Sequence, residues 1–166
     1  MKTLTTIIYV LGLLLSTLFV SAQSKADKIY DSFANTDGVA SFTFTKNMVD
    51  AINLDFGDNG EAKKVSGDLN EIRFLSYNPE EGNLSGEAFL KKAVSMLPSQ
   101  YKKYEDDDSD GNTEIWLLGK KRKYSECHVF IHNENVSGNQ FLVSFYGSFN
   151  VNDLEGLKAA GEGMSN

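Results

Sequence analysis

One cysteine, two prolines and two histidines in 166 residues mark what this chain does without. A lone Cys127 allows no intramolecular disulfide, so a small cystine-stapled scaffold is excluded and stability rests on packing. Scarce proline, no internal repeat and no long low-complexity linker argue for one continuous domain rather than beads on a string. Positive charge is also short. Sixteen basic side chains face 23 acidic ones, and a pI near 4.8 disfavours nonspecific binding to nucleic acid. Two catalytic signatures are missing as well: the serine pattern of a nucleophile elbow, and a glycine-rich phosphate loop opening a helix.

What is present begins with an address. Lys2 precedes an apolar stretch from Leu4 to Val20, and Val20-Ser21-Ala22 supplies small residues where a signal peptidase cuts. Residues 1–22 are therefore expected to be a signal peptide, with cleavage before Gln23. The rival, a retained anchor, lacks a charged stop after the apolar run. No cysteine follows the run, so no lipid-attachment site is expected. The processed chain, residues 23–166, is expected to be one periplasmic or secreted domain with no membrane span, and losing Lys2 takes its formal charge from −7 to −8.

Three strand-like runs organise the rest: TEIWLLGK from Thr113, YSECHVFIHN from Tyr124 and QFLVSFYGSF from Gln140. Each is rich in β-branched and aromatic residues, and turn-forming segments separate them, which predicts an antiparallel meander. Upstream, Ile29 and Phe33 lie one helical turn apart in a segment from Lys25 to Asn35 that Asp37-Gly38 ends. Val39 to Thr45 alternates Ala40, Phe42 and Phe44 with Ser41, Thr43 and Thr45, the period of a half-buried strand. A helix carrying Met48, Val49 and Ile52 on one face follows, then a polar loop over 57–68 and a strand from Glu71 to Tyr77. Ser85 caps the strongest helix, with Phe89, Ala93 and Leu97 as its stripe, Leu90 and Val94 beside it and Pro98 closing it. A poorer strand is expected over Tyr101 to Asp106. Asn152 with Glu155 is the expected capping box of a short C-terminal helix that frays through Gly161 and Gly163. The sum is an α+β domain: a mainly antiparallel sheet ending in a three-stranded meander, with helices packed on one face.

Phe42-Thr43-Phe44-Thr45-Lys46-Asn47-Met48, Glu71-Ile72-Arg73-Phe74-Leu75, Tyr104-Glu105 and the closing run from Tyr146 to Leu154 carry a family likeness. The chain resembles domain-of-unknown-function family 4252, small exported proteins of Gram-negative bacteria. That resemblance implies an envelope location and an α+β fold, and it transfers no catalytic or binding residue.

Three groups of residues bear on function. Asp106, Asp108 and Asp110 before Gly111 match the first half of a calcium loop, since hard Ca²⁺ takes clustered oxygens and glycine permits the turn. The second half fails, because Leu117 stands where a bidentate glutamate belongs; the competing reading is an acidic hairpin tip. Cys127 and His128 point to opposite sides of a strand, and His128 lies about 13 Å from His132, too far to share one metal. The basic run Lys120-Lys121-Arg122-Lys123 suits an anionic partner, or equally a solvated hairpin. Lastly, the meander is apolar on both faces. Phe141, Val143, Phe145 and Phe149 share one, while Trp116, Phe130 and Tyr146, with Leu118 and Leu142, share the other. Either the N-terminal helix or a dimer mate covers that second face, or it is an open binding surface.

The expected function is thus an exported module with a binding or structural role in the envelope, its partner an envelope protein or ligand. A homodimer through the sheet stays open. No catalytic residue is assigned and no cofactor is expected unless the aspartates hold Ca²⁺. The alternatives are a calcium-stabilised envelope protein and a hydrolase of envelope or extracellular substrates using unassigned carboxylates.

Overall fold

Alternating residues from Val39 to Thr45 and from Asp68 to Tyr77 pair as neighbouring antiparallel strands, and the meander extends the same sheet. The computed structural model describes residues 24, 26–51, 68–105, 111–135 and 137–165. Along the chain run α1 (Asp27–Phe33), β1 (Val39–Thr45), α2 (Lys46–Ala51), β2 (Asp68–Tyr77), α3 (Gly86–Ser95) and β3 (Lys102–Tyr104). β4 (Thr113–Lys120), β5 (Lys123–Ile131), β6 (Gln140–Asn150), a 3₁₀ turn (Val151–Asp153) and α4 (Leu154–Ser165) complete it. All six strands form one antiparallel sheet in the order β1-β2-β6-β5-β4-β3. The α+β architecture and the closing meander are as the residue pattern leads one to expect. The expected signal peptide, the aspartates 106, 108 and 110, and most of the polar loop over 57–68 lie outside the described residues. No helix among the described residues is long and apolar enough to cross a membrane.

The helices divide between both faces of the sheet instead of gathering on one. On the first face, Ile72, Ile115, Leu117, Cys127, Val129, Val143 and Phe145 meet Leu154, Leu157 and Ala160 of α4 and Val49 of α2. Cys127 is fully buried there, and burial pushes its thiol pKa up. On the second, Leu75, Tyr77, Phe130 and Leu142 meet Ile29 and Phe33 of α1 and Phe89 and Ala93 of α3. The sheet is therefore a central layer with two cores. That is what apolar patterning on both sides of a strand demands once each side must leave water.

Boundaries shift where local chemistry competes with pattern. β2 starts at Asp68, with a register irregularity between Leu69 and Glu71. Ser85 does cap α3, accepting the Ala88 amide, but the helix stops at Ser95, before Leu97 and Pro98. β3 holds only three residues. The capping box belongs to Asn150 and Asp153, two residues earlier than Asn152 and Glu155. Nor do glycines end α4, which continues through Gly161 and Gly163 to Ser165. A Cβ at Gly161 would lie 3.3 Å from Val129 Cγ1, so this glycine brings the helix close to β5. The β4–β5 turn is the two residues Lys121 and Arg122, with φ of 53° and 66°.

Candidate functional site

Residues opposite one another in antiparallel strands share a face, so the register lays out the second face as rows. One row reads Thr43, Arg73, Ser144, His128 and Trp116 across β1, β2, β6, β5 and β4. The row beside it reads Thr45, Glu71, Tyr146, Glu126 and Leu118. On the other flank the row reads Ser41, Leu75, Leu142, Phe130 and Glu114. This face is thus split into a polar half under α1 and an apolar half under α3.

In the apolar half Phe89 stacks on Tyr77 at 4.4 Å and tilts against Phe33 at 4.7 Å. The Tyr77 hydroxyl donates to the Leu84 carbonyl at 2.7 Å and accepts its amide at 2.8 Å, fixing the turn that leads into α3.

The polar half is a hydrogen-bonded chain. Tyr30 Oη lies 2.7 Å from Ser144 Oγ, and Ser144 Oγ lies 2.7 Å from His128 Nδ1. His128 Nε2 faces Glu126 Oε2 at 3.5 Å, while Tyr101 and Ser24 each donate to that same oxygen at 2.7 Å. One ordering satisfies the hydroxyl donors: Tyr30 gives its proton to Ser144, Ser144 to Nδ1, and the Nε2 proton points at Glu126. Beside it Arg73 donates to Asp27 at 2.8 Å and to Glu71, and its guanidinium lies 5.5 Å and 5.4 Å over the Tyr30 and Tyr146 rings. Burial lowers the His128 pKa against the pull of Glu126. Burial works to raise Glu126, but the His128 ring 3.5 Å away and the hydrogen bonds from Ser24 and Tyr101 prevail and hold it below its ordinary value. Asp27 is raised, because burial outweighs the attraction of Arg73.

Ser144, His128 and Glu126 form the residue set of a serine nucleophile with its base and orienting acid. Access argues otherwise. Ser144 and His128 are 0% exposed, and Tyr30 from α1 closes over the serine oxygen. The arrangement can hold α1 against the sheet and fix a tautomer; it offers a substrate no entrance.

An open groove of about 510 Å³ lies at the other end of this face, between α3 and the ends of β4 and β5. Leu90, Val94 and Phe130 give it apolar walls, and Glu87, Lys91, Glu114 and His132 stand around them. Glu114 is held by Trp116 Nε1 at 3.2 Å and by Lys103 Nζ at 3.1 Å. His132 Nδ1 is held by Gln140 Oε1 at 2.9 Å, and Gln140 also accepts the Asn133 amide at 3.2 Å and donates to the Gly138 carbonyl at 2.8 Å. Glu114 and His132 are therefore set in place by side chains of the sheet, as a recognition site requires.

Trp116, Phe130 and Tyr146 do share the second face, but not one row, and the chain itself covers most of it. Phe130 is 2% exposed and lines the groove; Trp116 is half-buried and touches Glu114; Tyr146 packs beside His128 at 5.9 Å in the polar half. Ile29 and Phe33 belong to the cluster that holds Phe130 and Trp116, so the N-terminal helix covers that part of the face. Cys127 and His128 do point to opposite faces, Cys127 among the residues under α4 and His128 towards Ser144. Among the described residues no cluster of three or more His, Cys, Asp or Glu is placed to hold a metal. Sequence reasoning missed Tyr30, Arg73, Tyr101, Glu126 and Ser144 as a network. A shared parity along β5 and β6 hinted at His128 with Ser144, but only the register could show them opposite.

A family model described as Domain of unknown function (DUF4252) matches residues 30–157. No curated protein and no solved structure matches.

Proposed function

Because the chain belongs to the DUF4252 family, a domain whose function is unknown, we propose its role from the chain's own surfaces: an exported, non-enzymatic binding module of the cell envelope. The observation that carries this is the contrast between the two halves of one sheet face. Ser144 and His128 are sealed beneath α1, while the groove along α3 is open, apolar at its walls and flanked by Glu114 and His132, both held by neighbouring side chains. Such a groove suits an apolar side chain presented beside hydrogen-bonding groups, as on an extended segment of another protein. Export rests on Lys2, the apolar run to Val20 and the small residues before Gln23. Mass spectrometry of the protein that cells accumulate should find Gln23 first.

The groove is tested with N-acetyl-leucinamide and N-acetyl-phenylalaninamide as probes, followed by amide chemical shifts. Saturable shifts confined to α3, residues 112–114 and residues 130–132, lost in Leu90→Glu, are expected. Scattered or absent shifts would refute the groove. A hydrolase is the opposing class, favoured only by the Ser144, His128 and Glu126 set. Ester turnover that Ser144→Ala abolishes and Leu90→Glu spares would overturn the binding reading.

A further inference from the structure

The two ends of the sheet are finished differently. β3 is three residues long and carries Lys102 and Lys103, the usual means of keeping an edge from pairing. β1, the opposite edge, has seven residues, no charge, no proline and an unbroken register with β2. Its residues are largely exposed, and Phe42 stands 59% accessible. Nothing in β1 itself resists the addition of another strand.

We propose that β1 pairs antiparallel with β1 of a second copy of this chain, across a twofold axis at Phe42, making one continuous sheet of twelve strands. Two features fit a second copy. First, the strand is self-complementary about Phe42. The register sets Phe42 against the partner's Phe42, Ala40 against the partner's Phe44, and Ser41 against the partner's Thr43, so apolar residues meet apolar ones and hydroxyls meet hydroxyls. Second, Phe42, Phe74 and Phe141 already form a ladder of rings, with centroids 6.3 Å and 5.6 Å apart, which the partner's Phe42 continues.

The test is analytical ultracentrifugation of the protein in the form that cells accumulate, over micromolar to submillimolar concentration. The unmodified chain should be a dimer. Ser41→Glu with Thr43→Glu sets like charges directly opposite at two places, and should weaken the dimer by at least about tenfold with the circular dichroism unchanged. Ser41→Lys with Thr43→Glu differs at one position, sets each lysine opposite the partner's glutamate, and should keep the dimer. A chain monomeric at every concentration overturns the proposal. So does a dimer indifferent to the double glutamate, or loss of the dimer in both variants alike. A monomer whose β1 amides exchange slowly would mean that another segment of the same chain covers the edge, and that too overturns it.

Discussion

Replacing Phe89 by alanine tests whether the second sheet face is a core. Phe89 is 0% exposed and is the one large side chain that α3 buries fully, its other buried residues being Gly86 and Ala93. Truncating a buried phenylalanine costs about 3–5 kcal/mol, from lost transfer energy and the cavity left behind. Two ring partners are lost with it, Tyr77 and Phe33, and each such pair adds about 0.5–1.5 kcal/mol beyond area. Leu90 and Val94 give little compensation, since both are half-buried at the groove. A ten-residue helix has no independent stability in water, so losing its anchor loosens the whole of α3. The upper part of the range, about 4–5 kcal/mol, is expected. Urea unfolding read by far-ultraviolet circular dichroism and by Trp116 fluorescence measures it. Leu90→Ala should cost clearly less and serves as the reference. A loss below about 1.5 kcal/mol in Phe89→Ala, with coincident transitions by both probes, would show that α3 does not hold this face.

Acid should weaken the fold in two stages. His128 is depressed by burial, so the unfolded chain binds that proton more tightly and its stability contribution is lost as pH falls below about 6.5; Glu126 acts likewise below about 4.5, and the raised Asp27 acts in the opposite sense. Glu126→Gln should cost about 1.5–3 kcal/mol near neutral pH and flatten the lower stage of a melting-temperature profile; an unchanged profile would remove Glu126 from the account. Lys121→Asn with Arg122→Gly should stabilise the chain by about 1 kcal/mol or more, because both residues sit at positive φ where asparagine and glycine are at ease. A loss of stability there would mean that the cations hold something in place.

Strand identity was legible because period-two patterning survives in single runs: Val39 to Thr45 is recovered residue for residue. Which faces are buried was legible too, since Trp116 and Phe130 alternate strictly with Ile115, Leu117 and Val129. What covers each face was not, because helix stripes at Ile29 and Phe33 or at Leu154 and Leu157 carry no label naming a side. The polar network lay further out of reach. Tyr30, Arg73, Tyr101, Glu126 and Ser144 come from five segments, and only the pairing of β2 with β6 brings Arg73 opposite Ser144. The groove was not legible either. Leu90 and Val94 lie inside α3 beside its buried stripe of Phe89 and Ala93, yet they are walls of an open cleft rather than interior residues.

The strand order also dictates an order of events. Phe74 and Val143 are register partners, yet 69 residues separate them, and β6 is the last strand to be synthesised. β1 and β2 exist long before the neighbour that joins them to the sheet. Pairings this distant in sequence fold slowly, since loop closure precedes any gain from contact. Meanwhile β4, β5 and β6 can assemble locally as soon as all three are present. Until then an uncharged strand and its partner wait with both flanks unpaired, and that interval is when this chain is most open to pairing with the wrong molecule.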